Sequence, residues 1–228
     1  MKLTIGNIEE ELKFMHKLYV ENRFSEIVIR GQILNKKFPK ILPFYNILGL
    51  SYAKIGKDLL AAKVFKKGLF YNENEISLLT NLADTFRNLN KLKDSESLLI
   101  KALKINDKDL YALISYARLK ISQGKAEESI KYFKEVYTID KNFDDVIVRI
   151  ANAYLSIRNF DEAKKYFEIA VYETPLKVGA DYSFSQMVDY SKDNKHQKHM
   201  LEKLNDKNFE KIIKGPLYFA IAKSFNDQ

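Results

Sequence analysis

The chain repeats itself every 34 residues without a gap. Slid against itself by that period, it falls into five units that begin at Ile8, Leu42, Ile76, Leu110 and Asp144. A fixed period in the range of roughly 20–50 residues marks a stacked architecture, in which each unit is one supersecondary element that buries its apolar face against its neighbours. Only 8 Gly and 4 Pro occur in 228 residues, too few for the frequent turns of an all-β chain, so the repeating element is helical.

The columns of the repeat carry a packing rule. The eighth position holds Met15, Gly49, Ala83, Ala117 and Ala151. The twentieth holds Ile27, Ala61, Ser95, Ser129 and Ala163, and the twenty-seventh Leu34, Gly68, Ala102, Val136 and Ala170. Small side chains at these columns let two antiparallel helices approach closely. Large side chains alternate with them: Leu48 and Tyr52, Leu82 and Phe86, Ile150 and Tyr154 on the first helix, and Phe65, Leu99, Phe133 and Phe167 on the second. The first unit departs from the rule, with Met15 and Ile27 at small columns and Gly31 at an aromatic one, as an end repeat can.

The turn column agrees. Position fifteen reads Asn22, Gly56, Asn90, Gly124 and Arg158. Gly and Asn tolerate the left-handed conformation that closes a helix, so four of the five fit and Arg158 stands as the exception. Pro39 and Pro175 fall after a second helix, and Pro43 and Pro216 in the first turn of a first helix, where proline is tolerated. The spacing predicts two helices per unit, each of about 12–14 residues and about 20 Å long.

This pattern closely resembles the tetratricopeptide repeat (TPR) over residues 8–177. The resemblance implies an all-α, right-handed superhelical solenoid of helix-turn-helix repeats at 8–41, 42–75, 76–109, 110–143 and 144–177. Beyond it the pattern loosens. Val178 to Tyr190 reads as a sixth first helix, Ser191–Lys195 as a polar break, and Gln197 to Ile213 as its partner. Residues 178–214 are therefore expected to form a degenerate sixth pair. Lys214-Gly215-Pro216 stops and restarts the helix, and Leu217–Phe225 restores the first-helix columns. Residues 215–228 are expected to be a capping helix or the first helix of a seventh repeat that continues in a longer protein. Met200–Leu204 and Leu217–Lys223 also resemble the junction of proteins in which TPR repeats precede a sulfotransferase domain. That resemblance implies an accessory, substrate-recruiting region. The phosphosulfate-binding loop of that family is absent from these residues, so no catalysis is expected of the chain itself.

Other functions are constrained by composition. The net charge is +8, but only six of the 38 basic residues are Arg, and the Lys residues are interleaved with acids. Scattered Lys is the filler of exposed helix faces, whereas phosphate recognition favours Arg forks, so a nucleic-acid partner is not expected. With no Cys there is no disulfide framework or thiolate chemistry, which fits a reducing cytoplasm. Glu9-Glu10-Glu11 breaks the apolar run at the start, so that start reads as a helix whose first turn is acidic and not as a signal peptide. No apolar run is long enough to span a membrane. His16, His196 and His199 are the only histidines, read as exposed polar groups, and no metal or cofactor is expected. Asp144-Asp145 reads as the capped start of a helix.

What remains is binding. Stacked helix pairs curve, with first helices lining the concave side. Their outward positions give Leu12, His16 and Tyr19; Asn46, Leu50 and Lys54; Thr80, Asp84 and Arg87; Ile114, Arg118 and Ile121; Val148, Asn152 and Leu155. Amides such as Asn46 and Asn152 can bond a peptide backbone while Leu50, Ile114 and Leu155 receive its side chains. A peptide or protein segment is the expected partner. The Lys, Asn and Arg set with which some TPR domains clamp acidic C-terminal tails is not supplied by any three successive units.

Overall fold

A computed structural model describes residues 5–173, 178–205 and 215–227. Among these residues there are thirteen α-helices and no strand. The first ten alternate as first and second helices: α1 (Ile5–Val20), α2 (Phe24–Lys37), α3 (Leu42–Lys54), α4 (Asp58–Tyr71), α5 (Ile76–Asn88), α6 (Leu92–Ile105), α7 (Leu110–Ser122), α8 (Ala126–Ile139), α9 (Val146–Ser156) and α10 (Phe160–Glu173). They are followed by α11 (Val178–Ser185), α12 (Lys195–Asn205) and α13 (Gly215–Asn226). The fold is an all-α helical repeat. Every second helix occupies the same 14 positions of its unit, so the 34-residue register of the sequence is the register of the structure. The chain divides into two compact units, Met1–Lys125 and Ala126–Gln228.

One turn closes all five first helices. The residue at position fifteen has positive φ in each: 58° at Asn22, 74° at Gly56, 58° at Asn90, 76° at Gly124 and 60° at Arg158. The next residue's N–H returns to the carbonyl at position eleven, as Lys57 to Tyr52 at 2.8 Å and Asn159 to Tyr154 at 3.0 Å. Position fifteen itself bonds to position twelve, as Arg158 to Leu155 at 3.0 Å. This is the Schellman arrangement, which satisfies carbonyls a helix end would leave bare. Arg158 is thus no exception to the column. It adopts the same left-handed geometry, at the steric cost an L side chain bears there of roughly 1–2 kcal/mol.

The small columns are all buried. At Gly49 an added Cβ would fall 2.3 Å from the Phe65 ring, and at Gly68 2.7 Å from Leu78, so close helix approach requires glycine at both. The first repeat reverses the sizes. Met15 and Leu48 crowd Gly31, at 3.3 and 3.2 Å from where its Cβ would be, so the large residue has moved to the small column and the small one to the large. Ser95 adds a bond to this packing, its hydroxyl donating to the Ala83 carbonyl at 2.7 Å across the pair.

Several expectations are corrected. Helix α1 starts a turn earlier than expected, at Ile5, so Glu9, Glu10 and Glu11 lie outside its first turn; Glu11 instead accepts two 2.6 Å bonds from Arg30 of α2. Asp145 stands at the N-cap of α9 with φ 56°, and its side chain makes no capping bond because a 3-10 turn over Phe143–Asp145 precedes the helix. The sixth first helix ends at Ser185, not Tyr190. Ser185 turns its hydroxyl back to the Tyr182 carbonyl at 2.7 Å, and the chain reverses to bury Tyr190. Its expected partner appears as α12, which ends the described stretch at Asn205; the rest of that expected helix, and Pro175, lie outside the described residues. Helix α11 lies against α10 and α13. The histidines of α12 are not exposed: His196 is 2 % exposed and His199 is half-buried.

Candidate functional site

In the N-terminal unit the first helices α1, α3, α5 and α7 pack side by side. Between α1 and α3 they leave a pocket of about 500 Å³, lined by Leu12, Lys13, His16, Tyr19, Pro43, Asn46, Ile47 and Leu50. Five of these are outward positions read from the sequence. Leu12, Ile47, Leu50 and Pro43 make the pocket apolar, while His16 and Lys13 stand exposed at its rim. The Tyr19 ring is fixed edge-on to Phe24 at 5.2 Å, and burial holds its hydroxyl above the usual tyrosine value.

Asn46 sits at a junction. It lines this pocket and a second of about 450 Å³ that runs past Ile41 to Glu75 and Ser77. Its Oδ1 accepts a 2.6 Å bond from Asn81 of α5. One repeat further, Asp84 accepts from Ser115 at 3.0 Å and pairs with Arg87 at 3.3 Å and Arg118 at 3.4 Å. The polar middle of this face therefore ties α3 to α5 and α5 to α7, with Asp84 and Arg118 at the same column of successive repeats.

The remaining outward positions divide. Lys54 and Ile121 are exposed and line none of these pockets. Thr80 and Ile114 are buried, at 4 % and 3 % exposure, and present no surface to a ligand. Both stand at position five. Helix α5 has a first-helix neighbour on each side, α3 and α7. In the C-terminal unit Asn152 is exposed on α9, and Val148 and Leu155 are half-buried there. Sequence reasoning passed over Lys13 and Ile47, both at position six, one residue from an outward position. A helix advances about 100° per residue, so position six borders the same face, and that was the available signal.

Among the described residues no cluster of three or more His, Asp and Glu is placed to hold a metal ion, and no helix is long and apolar enough to cross a membrane.

A stack of two-helix units with small residues at the crossings and one shared turn is a helical repeat of the tetratricopeptide type. Tetratricopeptide repeat family models match residues 76–106 and 120–176, and those segments carry tetratricopeptide repeats. These matches stop short of residues 200–223, on which the sulfotransferase resemblance rests. An uncharacterized protein, ycf37 of Pyropia yezoensis, is 29% identical over 107 residues, 43% of this chain; the match spans 60% of that relative's length. Among solved structures, TTC0263, a thermophilic TPR protein of Thermus thermophilus, superposes with a TM-score of 0.69 at 15% identity, covering 78% of this chain and 97% of that one. YrrB, a TPR protein with an unusual peptide-binding site, gives 0.53 at 18% identity, covering 72% and 84%. These likenesses establish the shared fold.

Proposed function

We propose that this chain is a protein-interaction scaffold that takes an extended peptide segment on the first-helix face of its N-terminal unit. The pocket between α1 and α3 receives an apolar side chain of that segment. The carrying observation is the pocket itself: about 500 Å³, walled by Leu12, Ile47 and Leu50, with the Asn46 amide beside it. Burying one leucine-sized side chain there contributes about 1.5–3 kcal/mol, and Asn46 and His16 supply polar partners for a peptide backbone. That a solved structure of the same fold carries a peptide-binding site supports the reading.

The test is selection from a library of random peptides, followed by fluorescence anisotropy with the selected sequences. Leu50→Glu and Leu12→Glu, which place a charge in the pocket, should each weaken binding by about tenfold or more, ~1.4 kcal/mol. Phe70→Glu, at an 84 % exposed site on α4, should leave it unchanged. Peptides that bind the two pocket variants as tightly as the parent chain would remove the pocket from the proposal.

A further inference from the structure

The opposite side of α3 faces a different cavity. Pro43, Asn46, Ile47 and Leu50 look into the pocket just described, whereas Tyr45, Leu48 and Tyr52 line a second one, of about 450 Å³, between the second helices α2 and α4. At about 100° per residue the two sets fall on opposite faces of one helix, so each cavity can be filled without the other.

The second cavity has an unusual balance of charge. Lys36 from α2 and Lys63 and Lys67 from α4 stand exposed along it, and no carboxylate is among the lining residues. None of the three lysines has an ion-pair partner among the described residues. Leu48, Leu60 and Val64 supply apolar wall.

Its lining also holds two buried polar groups without a well-formed hydrogen bond. The Asn35 side-chain oxygen, in a residue 6 % exposed, has no hydrogen-bond partner in the protein, and the Tyr45 hydroxyl, in a residue 0 % exposed, has only the neighbouring Tyr71 and makes no bond of good geometry. A buried polar atom left unpaired costs about 1–3 kcal/mol, so a ligand group that pairs with one there recovers that cost. The neighbouring Gln32 is engaged elsewhere in the lining, its amide nitrogen donating to Tyr52 at 2.5 Å. Burial, with Tyr71 a smaller cause, pushes the Tyr45 hydroxyl up to about 12, so near neutral pH it remains a donor. The two ends of an Asn amide exchange by a half-turn, so Asn35 can present N–H bonds in place of that oxygen.

We propose that this cavity binds an oxyanion carried on an apolar body, a carboxylate or a phosphate ester. Tyr45 and Asn35 donate to the anion, the three lysines neutralise it, and Leu48, Leu60 and Val64 take the body. Charge-assisted bonds of this kind are about twice as strong as neutral ones, which offsets drawing the anion from water.

Amide chemical-shift titration of the full chain tests it, with hexanoate and phenyl phosphate as probes and hexanol as the uncharged control. At least one anion should give saturable shifts at Asn35, Tyr45 and Val64, and hexanol should not. The tighter of the two identifies carboxylate or phosphate as the preferred source. Lys63→Gln with Lys67→Gln, both at exposed positions, should weaken that binding by about tenfold while the spectrum stays folded. Asn35→Asp should abolish it by placing a like charge at the anion. Shifts that rise linearly without saturating, that spread over lysines elsewhere, that hexanol reproduces, or that survive the double lysine change would each overturn the site.

Discussion

The Lys203 ammonium donates to both oxygens of Asp181 at 2.9 Å, and the two residues, 5 % and 0 % exposed, are closed off from solvent. Lys203 reaches the Val171 carbonyl of α10 as well, at 3.3 Å. His196 completes the group: its Nε2 lies 3.1 Å from Asp181 and its Nδ1 2.7 Å from the Tyr190 hydroxyl. The Nε2–H tautomer meets both, donating to Asp181 and accepting from Tyr190. Here, beyond the regular repeats, a buried polar cluster joins α10, α11 and α12 where small-against-large columns have lapsed.

Breaking that pair from one side should cost far more than removing it. Lys203→Met leaves the Asp181 carboxylate buried without its cation, a loss of about 3–5 kcal/mol. Replacing both partners, Asp181→Leu with Lys203→Met, removes the uncompensated charge and should recover part of that loss. Thermal melts followed by circular dichroism compare the three chains. A double variant that melts below the Lys203→Met chain would refute the account.

Glycine at the eighth position of the second repeat is a packing requirement. Gly49→Ala puts a methyl into the Phe65 ring, which has no free space to retreat to. Overpacking of this kind costs about 1–3 kcal/mol, against the ~1 kcal/mol that Ala gains over Gly in a helix. Adding Phe65→Leu recreates the Ala and Leu that the third repeat carries at these columns, Ala83 and Leu99. It should return most of the lost melting temperature; no recovery would show that the clash lies elsewhere.

The left-handed Arg158 gives the opposite sign. Arg158→Gly relieves the Cβ at φ 60° while keeping the turn that Gly56 and Gly124 already make at 74° and 76°. The gain is tempered by the added freedom of glycine in the unfolded chain, so a net stabilisation of about 0.5–1 kcal/mol is expected. A fall in melting temperature would mean that the Arg158 side chain contributes more than its backbone costs.

The parts of the fold legible in the sequence were those the period repeats. A column of Gly, Ala and Ser recurring at a fixed spacing can only be a close crossing, and the turn column announced a left-handed residue at its Gly and Asn positions, whereas Arg158, read as an exception, hid the fifth. Contacts that occur once left no periodic trace. Glu11 with Arg30 joins two helices of the irregular first repeat, and the burial of His196 depends on Asp181 and Tyr190, which no column aligns. On the first-helix face, helical spacing picks outward directions, yet it does not reveal where such a position is buried, as at Thr80, or lines a pocket, as at Leu12 and Leu50.

The fourth repeat carries Lys120 where the second and fifth carry Tyr52 and Tyr154, and its pairing sets a pH dependence. Lys120, 5 % exposed, donates to Glu96 of the preceding repeat at 2.9 Å, and Gln123 donates to the same carboxylate at 3.0 Å. The bond from Lys120, then that from Gln123, holds the Glu96 carboxyl below its ordinary value of 4.5. A carboxyl with a depressed folded-state value binds its proton more readily in the unfolded chain. Its contribution is therefore present above about 4.5 and is lost as pH falls through the folded-state value. Glu96→Gln keeps the shape and removes the charge, so it should lower stability near neutral pH by about 1.5–3 kcal/mol, the range for a hydrogen bond to a charged group. The gap between variant and parent should then close in acid. Melting temperatures of both chains over a descending pH series measure it, and a gap that stayed constant below the carboxylate range would show that Glu96 acts there by shape and not by charge.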